Sequence, residues 1–194
     1  MKLSKILKLL AISLAVIGLN VHAAEQENLR IMSEAAGDTS FTTKVNGKEY
    51  VITRQMTKCA KNKGWLQPLI PVEGVHPITE IELLKSMNDP DYILLDMRVQ
   101  DNYVEGTIPG AKNIPYTEVA MRLNEMGCEK TDGKWNCANA KKIVAFCNGP
   151  VCPQSPIAIK ASVREGFPAS NFYYYRGGML DWAALGFPIV EPDF

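Results

Sequence analysis

The segment Lys142-Ile143-Val144-Ala145-Phe146-Cys147-Asn148-Gly149-Pro150 runs an apolar stretch into a tight turn and sets a cysteine at the junction. A short, uninterrupted apolar run bounded by turn residues reads as a strand buried on both faces. Ser155-Pro156 follows as an N-cap and first-turn proline, and Ile157, Ile159 and Val163 continue at roughly helical spacing. The order is strand, cysteine loop, helix. A helix start offers unpaired backbone N–H groups and partial positive charge, which favour a thiolate or an anionic ligand beside it. From this segment alone Cys147 is either such a reactive thiol or a small buried hydrophobe at a strand end.

Outward from this segment the pattern repeats. Thr79 caps a helix through about Met87, Tyr92 to Met97 reads as a buried strand, and a short helix is expected over 100–105. Ala111 to Ile114 is another short strand, and Thr117 to about Met126 a helix. After the central strand, Ser155 to Glu165 is a helix, Asn171 to Tyr175 a strand and Met179 to Leu185 a final helix. Apolar strands alternating with helices predict an α/β fold with a mainly parallel sheet covered on both faces, and ligands bind at the carboxyl ends of such strands. Cys147 stands at one.

Two hairpins interrupt or precede this pattern. Asn46-Gly47 centres one over Phe41 to Ile52, with Phe41, Thr43, Val45, Tyr50 and Ile52 on one face and Lys44 opposite Glu49. Being marginal alone, it is expected to pack against the main domain. Asp132-Gly133 centres the other, and counting outward pairs Thr131 with Lys134, Lys130 with Trp135, Glu129 with Asn136 and Cys128 with Cys137. The last pair falls at a non-hydrogen-bonded position, within disulfide reach. Closing so small a loop would contribute about 2.5 to 3 kcal/mol in the chain-entropy treatment.

The chain begins with Lys2, Lys5 and Lys8, an apolar stretch from Leu9 to Leu19, and Val21-His22-Ala23. This reads as a secretory signal peptide over 1–23, with an apolar core short of the roughly 20 residues that span a bilayer. The expected location is exported, in the periplasm, with no stable membrane insertion after cleavage. Residues 24–74 form an N-terminal extension carrying the first hairpin, with a short helix over 53–64 that includes Cys59. Residues 75–194 form the main domain. The 194 residues carry 21 basic and 21 acidic side chains, so removal of three lysines leaves a mildly acidic protein with no call on nucleic acid. Five cysteines in an oxidising compartment leave at least one thiol outside intramolecular pairs. No cysteine and histidine spacing supports a metal site, and no cofactor is expected.

Three ordered motifs resemble those of the rhodanese family. Leu94-Leu95-Asp96-Met97-Arg98 is similar to its strand ending in Asp-x-Arg. Tyr103-Val104-Glu105-Gly106-Thr107-Ile108-Pro109-Gly110-Ala111-Lys112-Asn113-Ile114-Pro115 is similar to its Tyr-x-x-Gly-His-Ile-Pro-Gly-Ala-x-x-Ile-Pro segment. Arg176-Gly177-Gly178-Met179-Leu180-Asp181-Trp182 with Gly186-Phe187-Pro188 is similar to its closing signature. The resemblance covers about 120 residues and implies a rhodanese-like three-layer sandwich with the N-terminal hairpin appended. It also implies that Cys147 takes sulfane sulfur from a small donor such as thiosulfate or polysulfide, holds it as a persulfide, and passes it to cyanide, a thiol or a protein acceptor.

The loop departs from the family pattern. Where a basic residue usually follows the cysteine by five places this chain has Cys152, and Pro150 and Pro153 remove two backbone donors. Without an Arg there, phosphatase and arsenate reductase chemistry ranks low. Loop residues Asn148, Gly149, Val151, Cys152, Gln154 and Ser155 are expected to bind substrate, together with Arg98, the one cation that can be named near the crevice. Asp96 and Arg98 themselves read as a structural polar pair. Cys152 stays open between a resolving thiol for Cys147, a sulfur relay and an inert packed residue. A thiol–disulfide redox protein using both cysteines, and a non-catalytic binding module, are therefore the alternatives. A Cys–His hydrolase would need His76 beside Cys147.

Overall fold

The computed structural model describes residues 40–53 and 66–192. The signal peptide, the 53–64 helix and Cys59 lie wholly or largely outside the described residues. Strands β1 (Ser40–Val45) and β2 (Lys48–Thr53) pair antiparallel with Lys44 opposite Glu49, in the expected register. Asn46 and Gly47 both take positive φ, 50° and 80°, as a two-residue turn matched to strand twist requires. The expected packing of this hairpin is corrected: Tyr50 and Ile52, on the face predicted to be buried, stay 45% and 47% exposed. Val51, on the other face, is exposed as well.

The main domain follows as β3 (His76–Pro77), α1 (Glu80–Ser86), β4 (Tyr92–Asp96), α2 (Gln100–Val104), β5 (Lys112–Asn113), β6 (Glu129–Thr131), β7 (Lys134–Asn136), β8 (Lys142–Phe146), α3 (Gln154–Arg164), β9 (Phe172–Tyr175) and α4 (Gly178–Ala184). One sheet, ordered β3-β9-β8-β4-β5, is parallel throughout. β8 is central. Its alternate side chains supply two cores: Ile143 and Ala145 join Leu95, Phe172, Tyr174 and, from α3, Ala158 and Ile159. Val144 and Phe146 join Leu94, Tyr175, Leu83 of α1 and Met179 and Trp182 of α4. Helices thus cover both faces, and continuing the alternation sends Cys147 to the α3 side.

The helix expected from Thr117 to Met126 is instead two 3-10 turns, Val119–Met121 and Leu123–Met126. Arg122 interrupts it at φ −116°, ψ 34°, while ion-pairing with both Glu118 and Glu125. Val119, Leu123 and Met126 are nevertheless buried, so the apolar spacing was met by tighter i→i+3 turns. The next hairpin keeps its predicted register, with Asp132 and Gly133 at positive φ and Cys128 and Cys137 joined as a disulfide, Cα atoms 4.2 Å apart.

The motif segments have structural reasons. Asp96 is fully buried, and Arg98 donates to it through Nε (2.9 Å) and a terminal nitrogen (2.6 Å). Arg98 also reaches the Gly106 carbonyl at 2.6 Å, and the Thr107 hydroxyl donates to Asp96 at 2.8 Å. A buried pair satisfied this fully staples the end of β4 to the following segment. Trp182 Nε1 donates to the Pro188 carbonyl (2.8 Å), which folds the closing Gly186-Phe187-Pro188 stretch back over α4.

Candidate active site

Cys147 follows directly on β8, where two structural elements fix its backbone. The Met179 N–H donates to the Cys147 carbonyl and the Leu180 N–H to the Asn148 carbonyl, both at 3.0 Å, so the first turn of α4 grips the loop from one side. This close approach explains Gly178. Its φ is +57°, and a Cβ there would lie inside the Cys147 carbonyl oxygen. From the other side the Gly149 carbonyl accepts the Cys152 N–H at 2.9 Å, folding residues 149–152 into a turn.

That turn brings Cys152 back over Cys147. The Cys147 thiol donates to the Cys152 carbonyl at 3.4 Å, and each thiol influences the ionisation of the other. Cys147 is only 1% exposed. The thiol is therefore buried at the strand end, with the 149–152 turn folded over it. Burial comes first, and the Cys152 sulfur second, in holding the Cys147 thiol well above its usual range, while the Ser155 hydroxyl and N–H pull the other way. Cys152 is lowered to about 6, first by the hydrogen bond from Cys147 and then, against burial, by the N–H groups of Gln154 and Asn148 and the Asn148 carboxamide. Asn148 Nδ2 lies 3.8 Å and Gln154 Oε1 3.6 Å from the Cys152 sulfur. Of the two thiols, Cys152 is the one that ionises first.

Ser155 was expected as the cap of α3. It sits instead inside the first turn, after Pro153 and Gln154, because the turn ending at Cys152 runs straight into the helix. Its hydroxyl is fully buried and is paired with no nitrogen or oxygen; the neighbour it acts on is the Cys147 thiol. Val151 is buried apolar lining, and Gly149 packs against Leu180. Arg98 is corrected as a substrate-binding residue: its guanidinium is committed to Asp96 and Gly106 inside the β4 staple. His76 stacks on Tyr173, ring centroids 4.9 Å apart, on edge strand β3. It acts on neither cysteine, so the Cys–His arrangement has no support.

Two residues near the sulfurs escaped sequence reasoning. Tyr174 faces the same side of the sheet as Ala145, its register partner, and its buried hydroxyl has no partner. Burial first, and then the charges of Cys147 and Cys152, push its pKa far up, while Arg176 opposes them. Arg176 follows β9 at the carboxyl edge of the sheet. It donates to the Gln67 carbonyl at 3.2 Å, and the Gln67 N–H donates to the Pro150 carbonyl at 2.8 Å. The strand period locates Tyr174 once the register with β8 is known; for Arg176 the only signal is its place before the Gly-Gly pair.

Comparison with known proteins places these features in a family. The model for the rhodanese-like domain matches residues 79–185. An HTH-type transcriptional regulator of Mycobacterium tuberculosis is 33% identical over 114 residues, covering 59% of this chain and 44% of that protein, so the chain spans less than half of it. The thiosulfate:glutathione sulfurtransferase of Saccharomyces cerevisiae is 28% identical over 55% of this chain and 76% of its own. A sulfurtransferase of Allochromatium vinosum is 25% identical over 53% and 82%. Among solved structures, a thiosulfate sulfurtransferase from Pseudomonas aeruginosa is 20% identical with a TM-score of 0.47, over 60% of this chain and 20% of that one.

Proposed function

Because the chain belongs to the rhodanese-like domain family, we propose that it is a sulfurtransferase or sulfur carrier, exported to the periplasm, in which Cys147 accepts sulfane sulfur. Sulfurtransferase relatives support sulfur transfer in general. The observation that carries the assignment to Cys147 is its position directly after β8, at the carboxyl end of the central strand of the parallel sheet, in the loop that leads into α3. Cys147 loses its proton to solvent as the donor enters and, as thiolate, attacks the outer sulfur of thiosulfate or an internal sulfur of polysulfide; the S–S bond breaks and sulfite or a shorter polysulfide leaves with the electron pair. The persulfide then yields its outer sulfur to cyanide, a thiol or a protein acceptor, and Cys147 returns as thiolate. Charge on the persulfide is met by main-chain N–H groups and the buried Ser155 and Tyr174 hydroxyls.

Intact mass after exposure of the full chain to thiosulfate, and separately to polysulfide, tests this. A gain of 32 Da (about one sulfur atom) in Cys152→Ser that is absent in Cys147→Ser is expected. No added sulfur with either donor would remove the proposal. Peptide mapping of the same samples reads the Cys128–Cys137 bridge, whose presence in mature protein fits export to an oxidising compartment. A second reading, a thiol–disulfide redox protein, is favoured by the fold of the loop, which brings Cys152 back onto Cys147 with its carbonyl 3.4 Å from the Cys147 sulfur. A mixed disulfide trapped by Cys152→Ser and not by wild type would select it.

A further inference from the structure

We propose that Cys152 resolves the persulfide on Cys147, so that the protein reduces sulfane sulfur to hydrosulfide and finishes that half-reaction with a Cys147–Cys152 disulfide. This deepens the sulfurtransfer reading and rests on Cys147 being the sulfur acceptor. Three observations carry it. The 149–152 turn lays Cys152 against Cys147 rather than beside it, with the Cys147 thiol 3.4 Å from the Cys152 carbonyl. Asn148 Nδ2 donates to the Cys152 sulfur at 3.8 Å and the Cys152 thiol donates to Gln154 Oε1 at 3.6 Å, so the two side chains hold that sulfur in place at the loop. Both cysteines are buried and neither is in the disulfide formed by Cys128 and Cys137, so the loop is a closed pair that an external thiol reaches only after movement.

The step balances within the loop. The Cys152 thiolate attacks the Cys147 sulfur of the persulfide; the Cys147–Cys152 bond forms, the bond to the outer sulfur breaks, and the outer sulfur leaves with the electron pair as hydrosulfide. Two electrons pass from the cysteine pair to the sulfane sulfur. Attack on the inner sulfur is the productive one, because attack on the outer sulfur would only move the persulfide. Neighbouring placement gives this attack an effective concentration that a free thiol cannot match. A dithiol reductant then reopens the loop by thiol–disulfide exchange.

The test uses the reduced full chain under anaerobic conditions with thiosulfate, which itself supplies no hydrosulfide, and with polysulfide for mass measurement alone. Wild type is expected to release one hydrosulfide per chain, on the order of stoichiometric, and to show a Cys147–Cys152 peptide cross-link. Cys152→Ser and Cys152→Ala are expected to keep the added sulfur on Cys147 at least about tenfold longer and to release none. A wild-type persulfide as long-lived as that of both variants would overturn the proposal, as would added sulfur that maps to Cys152 in wild type. If no variant and no wild-type sample gains sulfur or the cross-link, the assignment of Cys147 as acceptor falls as well, which separates the two failures.

Discussion

Two neighbouring thiols set the chemistry of the loop at residue level. Burial, and then the neighbouring Cys152 sulfur, hold the Cys147 thiol well above its usual range, whereas Cys152 is lowered to about 6. Alkylation should therefore rise through a midpoint near 6 and report Cys152, with Cys147 responding only at much higher pH. Replacing Cys147 by Ala removes the largest cause of the lowering, so the Cys152 midpoint should move up toward the ordinary thiol range. Labelling rates across pH with a small alkylating agent, read by peptide mass, check the direction; identical profiles in wild type and Cys147→Ala would show that the sulfurs do not communicate. The presence of Cys152 where the family pattern has a basic residue is legible in the sequence. That its sulfur, rather than that of Cys147, carries the charge is not, because it depends on which sulfur the Asn148 and Gln154 donors reach.

At the level of elements, the loop is held between the starts of two helices, and they act differently. The first turn of α3 supplies N–H groups aimed at sulfur, while the first turn of α4 takes the loop carbonyls of Cys147 and Asn148. Gly178 makes the second contact possible. An alanine there would occupy φ +57°, at a cost of about 1 to 2 kcal/mol, and would also press its Cβ into the Cys147 carbonyl. Backbone on backbone cannot yield by a rotamer change, so Gly178→Ala is expected to cost about 3 kcal/mol or more and to displace Cys147. Urea unfolding measures the first effect and persulfide yield in the remaining folded protein the second; full yield with unchanged stability would mean α4 does not position the loop. The mainly parallel sheet, its strands other than β3 and both two-residue turns could be read from apolar runs and Asn-Gly or Asp-Gly pairs, whereas the strand order could not. The 3-10 turns over Val119–Met126 could not, since 3.6-residue and tighter spacing bury the same three apolar side chains.

Across the whole molecule, the site depends on a contact between distant parts of the chain that no local pattern announces. Residue 67 lies before the family-matched region, yet it bridges Pro150 in the loop and Arg176 beyond β9, a separation of 109 residues for the second bond. Sequence reasoning assigned the nearby positive charge to Arg98 because Asp-x-Arg ends a strand at the same edge. The folded chain consumes Arg98 in a buried ion pair and leaves Arg176 as the cation felt by Tyr174, which also feels both cysteines. Arg176 is half-buried, so its field at the loop is neither fully screened nor that of an interior charge. Neutralising it should therefore slow sulfur uptake from anionic thiosulfate by about three- to tenfold, equivalent to roughly 0.7 to 1.4 kcal/mol of lost attraction. Arg176→Lys would keep the charge and restore much of the thiosulfate rate, whereas Arg176→Gln would keep some hydrogen bonding to Gln67 without it. Uptake rates for both variants at low and high salt separate the two contributions: a defect in Arg176→Gln that shrinks as salt rises identifies the charge, while equal defects in both variants at every ionic strength identify the tie to residue 67 instead.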